Sequence, residues 1–405
     1  MDNAQAKVPT QPTPATAPAP RFRGFDGVRG VAILLVLMYH GVLAVHYPIA
    51  NLGPIRRVLL AGWTGVDLFF ALSGFLITSL LLREEERASA GGGRGSFSIG
   101  RFYLRRALRI LPAFYAVLAL NVFVFARVRL IPSANLDAIA KSPTGLLPFT
   151  TFWANYAIAY WDRLGASTTA MPAGAYWVFW SLCVEEHFYL LWPLFLLLVK
   201  SARARVAVAV AVCVLVAVGR HVAMTVGEQG AIAVHYPSHF RIDSILWGGT
   251  AAVVSRHVRL SDRWRRILIG LGLASILALI FTDSMAVIPM GKPIGFSLGL
   301  SLLSLTAALL LLELVACPKS ALARLLEFPV LTRMGKVSYG MYLVHLPMMD
   351  LGKVLFFATP RQPTLANLML ALAMFTVVAY GAAWILFQIV ERPFLAIKDR
   401  HLRAG

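Results

Sequence analysis

Ten apolar runs, each long enough to cross a lipid bilayer, constrain this chain more than any other feature. A helix rising 1.5 Å per residue needs about 20 residues to span a hydrocarbon core of roughly 30 Å. Such runs fall near residues 29–48, 63–82, 107–126, 178–199, 206–226, 241–255, 267–283, 294–314, 338–358 and 368–390. In lipid every backbone N–H and C=O needs an internal partner, so uninterrupted apolar runs of this length are expected to be helices. The expected fold is therefore all-α: a polytopic integral membrane protein with about ten transmembrane helices. Composition points the same way, with 58% hydrophobic and 14% charged residues and a mean hydropathy of +0.70, too apolar for an ordinary soluble surface. The sixth run is short and the ninth is interrupted by Pro347. Residues 146–161 are apolar but broken by proline and polar residues, and read as an interfacial or re-entrant piece of a long outer loop.

The formal net charge of +19 would suggest a nucleic-acid partner in a soluble chain. Here the placement of the cations supplies a better explanation. With Arg29 and Arg109 counted with the segments they adjoin, the tails and loops on one side hold 27 of the 38 Lys and Arg, which marks that side, and both termini, as cytoplasmic. The bilayer is thus the expected partner, and nucleic acid is not. Residues 1–20, rich in Pro, Ala, Thr and Gln, read as a disordered tail. Residues 21–395 form the membrane domain and 396–405 a cytoplasmic C-terminal tail. The basic loop 83–106 contains a Gly91-Gly92-Gly93 linker. No cleavable signal peptide precedes the first run, which is expected to be its own anchor. Cys183, Cys213 and Cys317 have no CxxC spacing, so neither a disulfide framework nor a metal site is expected. No internal repeat or appended soluble domain is visible, which places the chemistry within the membrane part.

Ionisable groups in lipid are costly and default to a functional reading. Four clusters qualify: Asp26, Arg29 and His40; Asp67 with Ser73; Ser181, Glu185, Glu186, His187 and Tyr189; and Ser338, Tyr339 and His345. Arg29 and His40 are separated by a spacing that returns a helix to nearly the same face about 16 Å along, so one cavity could hold a charged anchor and a base. Glu185 shares a face with Ser181 and Tyr189, whereas Glu186 points elsewhere and His187 suits an interface. A histidine with a carboxylate neighbour can take a proton from a hydroxyl, which suits acyl transfer to a sugar or similar acceptor. Arg101, Arg105, Arg106 and Arg109 precede Pro112, and Arg106 and Arg109 share a helix face. They could clamp a phosphate of a cytosolic donor such as an acyl-CoA.

Plainer roles stand beside these. Asp26 could cap its helix, the arginines could only set topology, and Ser73 and Ser338 could be small residues for close helix packing. His345 could stabilise a helix break before Pro347. Arg241 and Asp243, at the outer end of the sixth run, suit an ion pair or a substrate contact. Glu391-Arg392-Pro393 reads as the end of the tenth helix.

Taken together, seven motifs in order resemble the acyltransferase 3 family of bacterial membrane O-acyltransferases: Arg29 with His40; Val66-Asp67-Leu68-Phe69-Phe70 through Ser73-Gly74-Phe75-Leu76-Ile77; Arg105-Arg106 with Arg109 and Pro112; Trp180-Ser181-Leu182 with Glu185 and Phe188-Tyr189; Arg241 with Asp243; Ser338-Tyr339 with His345; and Glu391-Arg392-Pro393. The resemblance implies an acyltransferase for groups other than amino-acyl groups, sited in the bacterial inner membrane. Its co-substrate would be a cytosolic acyl-CoA, acetyl-CoA first among them, and its acceptor a hydroxyl of a glycan such as lipopolysaccharide or exopolysaccharide, or of a small macrolide-like metabolite. His40 is then the catalytic base, oriented by a carboxylate, and Glu185 the catalytic carboxylate of the fourth-run motif. Arg29, Asp26, Arg105, Arg106 and Arg109 fall on the donor side, and Asp67, Ser73, Ser181, Tyr189, Arg241, Asp243, Ser338, Tyr339 and His345 in the substrate cavity. Direct transfer and an acyl-histidine relay both remain open. Many family members append an esterase-like domain that this chain lacks, so acceptor delivery is expected from the membrane domain or a separate protein. The competing class is a secondary transporter or flippase, which predicts inverted repeats and paired broken helices; a donor translocator serving a separate transferase is a third.

Overall fold

A computed structural model describes residues 22–44, 53, 55–90, 97–125, 143–163, 177–227, 229–257, 261–282, 292–356 and 364–402. The expected tail over 1–20, the Gly91–Gly93 linker and the last three residues of the C-terminal tail lie outside the described residues. Among the described residues all regular structure is helical. Eight helical stretches are long and apolar enough to cross a membrane: Phe25–Ala44, Ile55–Ala90, Ile99–Val124, Phe179–Leu198, Ala202–Thr225, Asp262–Phe281, Gly295–Ala316 and Leu365–Arg400. The two other expected runs are also helical, over Ile242–His257 and Ser338–Phe356.

In chain order the helices are α1 (Phe25–Ala44), α2 (Ile55–Leu60), α3 (Gly65–Ala90), α4 (Ile99–Leu120), α5 (Pro143–Thr150), α6 (Ala154–Arg163), α7 (Phe179–Leu198), α8 (Ala202–Thr225), α9 (Ala231–His235), α10 (Ile242–His257), α11 (Asp262–Phe281), α12 (Leu300–Ala316), α13 (Ala321–Leu326), α14 (Pro329–Lys336), α15 (Ser338–Phe356), α16 (Leu365–Leu386) and α17 (Arg392–Leu402). Their starts are written locally. Ser98, Ser201 and Ser320 accept hydrogen bonds from the N–H of Arg101, Ala204 and Ala323 at the first turns of α4, α8 and α13. Pro329 opens α14, where its missing N–H costs nothing.

Helix α1 runs through the middle of the bundle, packed on α3, α14, α15 and α16, with Ala32, Ile33 and Val36 fully buried. Helices α3 and α10 come into backbone contact. A Cβ on Gly74 would sit 2.0 Å from the Ile245 carbonyl oxygen, and one on Gly248 would sit 1.9 Å from that of Ala71, so only glycine permits the approach. The perimeter is apolar: Leu215, Leu271 and Val377 are more than 60% exposed, as a lipid-facing surface requires. One end of the bundle is basic and tied by ion pairs, Arg205 with Glu85 at 2.9 Å, Arg265 with Glu313 at 2.7 Å, and Arg256 with Glu86.

Two local expectations change, and the shortness of the sixth run finds its cause. The ninth run is one helix through Pro347, with no break between Ser338 and Phe356. The sequence Glu391-Arg392-Pro393 does not end the tenth helix: a π-helical turn over Phe387–Glu391 carries the chain from α16 into α17. The sixth run is short because residues 229–241, which precede α10, are an irregular segment containing only α9 and a 3₁₀ turn over Ser238–Phe240. Residues 146–161 form the helical hairpin α5–α6. At its tip Phe152 takes φ 60°, and its ring lies 4.6 Å from that of Phe114 in α4. The Asn155 side chain donates to the Tyr236 carbonyl and to Ser238 Oγ, fastening this hairpin to the irregular segment.

Candidate active site

The candidate residues resolve into a cavity, a histidine pair and a sealed block of ion pairs. The cavity, about 370 Å³, is enclosed by α1, α3, α4, α7, α15 and the α16–α17 junction. That volume lies within the usual range of ligand pockets. Of the expected residues it gathers Asp26, Arg29, Ser73, Arg106, Arg109, Ser181, Glu185, Tyr189, Ser338 and Tyr339. Lys336 and Lys398 complete a cationic rim.

Helical phase places the acidic part. Glu185 and Tyr189, one turn apart on α7, are joined by a hydrogen bond from the tyrosine hydroxyl to Glu185 Oε2 at 2.9 Å. The same hydroxyl lies 2.5 Å from Ser73 Oγ of α3. Arg106 stands with its guanidinium 5.4 Å from the centre of the Tyr189 ring, a cation–π distance. Ser181 Oγ donates to the Tyr342 hydroxyl at 2.8 Å, closing the wall between α7 and α15. Asp26, in the first turn of α1, accepts from Arg29 at 2.8 Å. Serine at 73 and 181 thus does more than allow close packing, since both hydroxyls hold partners across helices.

His40 is not among the residues lining this cavity, and among the described residues no carboxylate hydrogen-bonds to it. One turn of helix separates it from Val36, whose carbonyl oxygen lies 3.0 Å from its Nδ1. Its side-chain partner is His345 of α15, with Nε2 3.3 Å from His40 Nδ1. His345 is fully buried, and its own Nδ1 is 2.7 Å from the Tyr342 carbonyl. The pair sits one turn beyond Tyr342, which lines the cavity. Arg29 and His40 therefore share a helix face, but of the two only Arg29 lines the cavity.

Arg241 and Asp243 do not pair with each other. Arg241 donates to Asp67 Oδ1 at 2.8 Å, and both are fully buried, with Ser244 adding a hydrogen bond to the same oxygen. Asp243 is held by Arg220 at 2.7 Å and by the Ser301 hydroxyl. Arg241 just precedes α10 and Asp243 lies in its first turn, and the two take different partners. These residues form no part of the cavity lining. Arg105 also leaves the expected set, paired instead with Glu84 at 2.5 Å.

Besides Lys336, Lys398 and Tyr342 of the cavity lining, two buried charged residues were missed. Arg220 interrupts an otherwise apolar run, a signal that was present and unread. Glu391, only 8% exposed, lines the cavity with Arg109, and its Oε1 has no hydrogen-bond partner among the described residues. Its position at a run's end hid it.

Comparison with known proteins gives a consistent result. A family model described as an acyltransferase domain matches residues 22–387. The chain is 28% identical over 379 residues to the peptidoglycan O-acetyltransferase OatA of Listeria monocytogenes, covering 91% of this chain and 55% of that protein. It is 30% identical over 387 residues to the putative peptidoglycan O-acetyltransferase YrhL of Bacillus subtilis, covering 91% of this chain and 54% of that one. A putative O-acetyltransferase of Staphylococcus aureus strain COL is 26% identical over 331 residues, 80% of this chain and 50% of its own length. The chain thus spans about half the length of the curated relatives it matches. No solved structure matches.

Proposed function

The chain belongs to the acyltransferase-domain family, and from that premise we propose that it is a membrane O-acyltransferase moving an acetyl group from cytosolic acetyl-CoA to a hydroxyl of a cell-surface glycan. The glycan acceptor is taken from the names of the relatives, which are peptidoglycan O-acetyltransferases. In this reading the basic end faces the cytoplasm, both termini lie there, and the short α10 and the Pro347-bearing α15 complete ten crossings of the bacterial inner membrane.

The observation that carries the proposal is the cavity itself. Arg29, Arg106, Arg109, Lys336 and Lys398 surround it, a cation set suited to the phosphates of a CoA. Ser181 and Tyr342 also line the cavity, and one turn along α15 from Tyr342 stands His345, whose Nε2 meets His40. A donor lying with its phosphates at the rim points its thioester toward the histidine pair. His40 takes the proton of the acceptor hydroxyl as that oxygen attacks the thioester carbonyl. The C–O bond forms, the C–S bond breaks, and the departing thiolate receives the proton from His40.

The test is mass spectrometry of surface polysaccharide from cells carrying the wild-type protein, a deletion, or His40→Ala at matched membrane levels. Loss of one acyl mass in both mutants is the expected result. Intact acylation with His40→Ala overturns the assignment, and a deletion that only redistributes an unmodified compound across the membrane favours a transporter.

A further inference from the structure

Resting on the reading of His40 as the base, we infer that His345 is a positioning residue: it sets the tautomer of His40 so that the lone pair of the base lies on Nε2. The argument begins at Tyr342. A backbone carbonyl only accepts hydrogen bonds, so the 2.7 Å contact between its oxygen and His345 Nδ1 requires the proton on Nδ1. Neutral His345 then carries its lone pair on Nε2. That nitrogen faces His40 Nδ1 at 3.3 Å and must accept from it. The Val36 carbonyl, 3.0 Å from the same His40 Nδ1, imposes the same requirement independently. Both contacts place the proton of His40 on Nδ1, leaving Nε2 unprotonated and free of the pair.

The opposite assignment fails on both sides. A proton on His345 Nε2 would set two lone pairs against each other at Tyr342, and a lone pair on His40 Nδ1 would face the Val36 carbonyl. This arrangement resembles the service a buried carboxylate gives a catalytic histidine, with one difference: His345 is neutral. It fixes ring and tautomer without placing a negative charge in the bundle. When His40 takes the hydroxyl proton on Nε2 it becomes an imidazolium whose Nδ1–H still donates to His345 Nε2, so the new charge keeps a hydrogen-bond partner. When the thiolate takes that proton, the pair returns to its starting state.

Two measurements test this. Nitrogen-15 spectra of histidine-labelled full-length protein in lipid nanodiscs, with the His40 signals assigned by difference from His40→Ala, are expected to show a protonated Nδ1 and a bare Nε2. A proton on Nε2 in the wild-type protein overturns the inference while leaving His40 as base untouched. Acetyl transfer by His345→Phe is expected to fall about 10²-fold in kcat, on the scale of losing an oriented base, with KM for acetyl-CoA within about twofold. His345→Gln, whose side-chain oxygen can accept from His40 Nδ1, should regain about tenfold of that loss. Unchanged kcat in a folded His345→Phe, or no difference between Phe and Gln, overturns the positioning role. Undiminished transfer by His40→Ala would instead remove the premise.

Discussion

The cavity and the sealed block hold the same kinds of residue and use them in opposite ways. In the block, Asp67 with Arg241 and Asp243 with Arg220 have no exposed side-chain surface. In the cavity, Arg29 and Asp26 are each 21% exposed, and Arg106, Arg109 and Lys398 border open space. Charges taken out of water need fixed partners and further hydrogen bonds, and in the block Ser244 and Ser301 supply them. A set with more cations than nearby carboxylates has unspent capacity for an anion. Full burial of each ion pair, more than residue type, separates the block from the cavity, even though Asp67 Oδ2 and Arg241 Nε and Nη1 have no hydrogen-bond partner among the described residues.

That contrast can be broken at either side. The largest effect is expected outside both regions: His40→Ala should lower acetyl transfer by at least about 10²-fold with an unchanged melting temperature, measured on purified protein in nanodiscs. Next comes the sealed block. Asp67→Ala leaves Arg241 buried and unpaired and should cost about 3–5 kcal/mol, read as a lower unfolding transition, whereas Asp67→Leu with Arg241→Met should recover most of it. If the double variant is stable but inactive, the block belongs to the chemistry after all. In the cavity, Arg106→Ala and Arg109→Ala should each raise KM for acetyl-CoA about tenfold or more, the worth of a charge-assisted hydrogen bond, with little change in stability. A melting-temperature loss without a KM change would make these arginines structural. The smallest effect is expected for Arg105→Ala, whose pair with Glu84 is partly exposed and should be worth less than about 1 kcal/mol.

Much of the cavity was legible in the chain. Glu185, Ser181 and Tyr189 lie at one-turn intervals, and a helix must put them on one face. Arg106 and Arg109 follow the same rule. The errors arose where a conclusion needed a second helix. Arg29 and His40 are in phase on α1, yet only Arg29 lines the cavity, while His40 meets His345 of α15. Arg241 and Asp243 are neighbours in sequence and belong to separate ion pairs. Glu391-Arg392-Pro393 was read as a helix end, but proline is tolerated in the first turn of the continuing segment, and Glu391, in the π-helical turn, lines the cavity.

The sequence by itself determined the helical, membrane-spanning character of the protein and the facing of side chains within each helix. Both follow from local physics: backbone groups in lipid must pair within their own segment, and a helix repeats every 3.6 residues. Tertiary structure alone decided which charged groups meet. It set Arg220 against Asp243, sent Asp67 to Arg241, and gave His40 a histidine where a carboxylate was expected. Those pairings depend on the rotation and depth of one helix against another, set by close contacts such as Gly74 on Ile245 and Gly248 on Ala71. No periodicity within a single run encodes them.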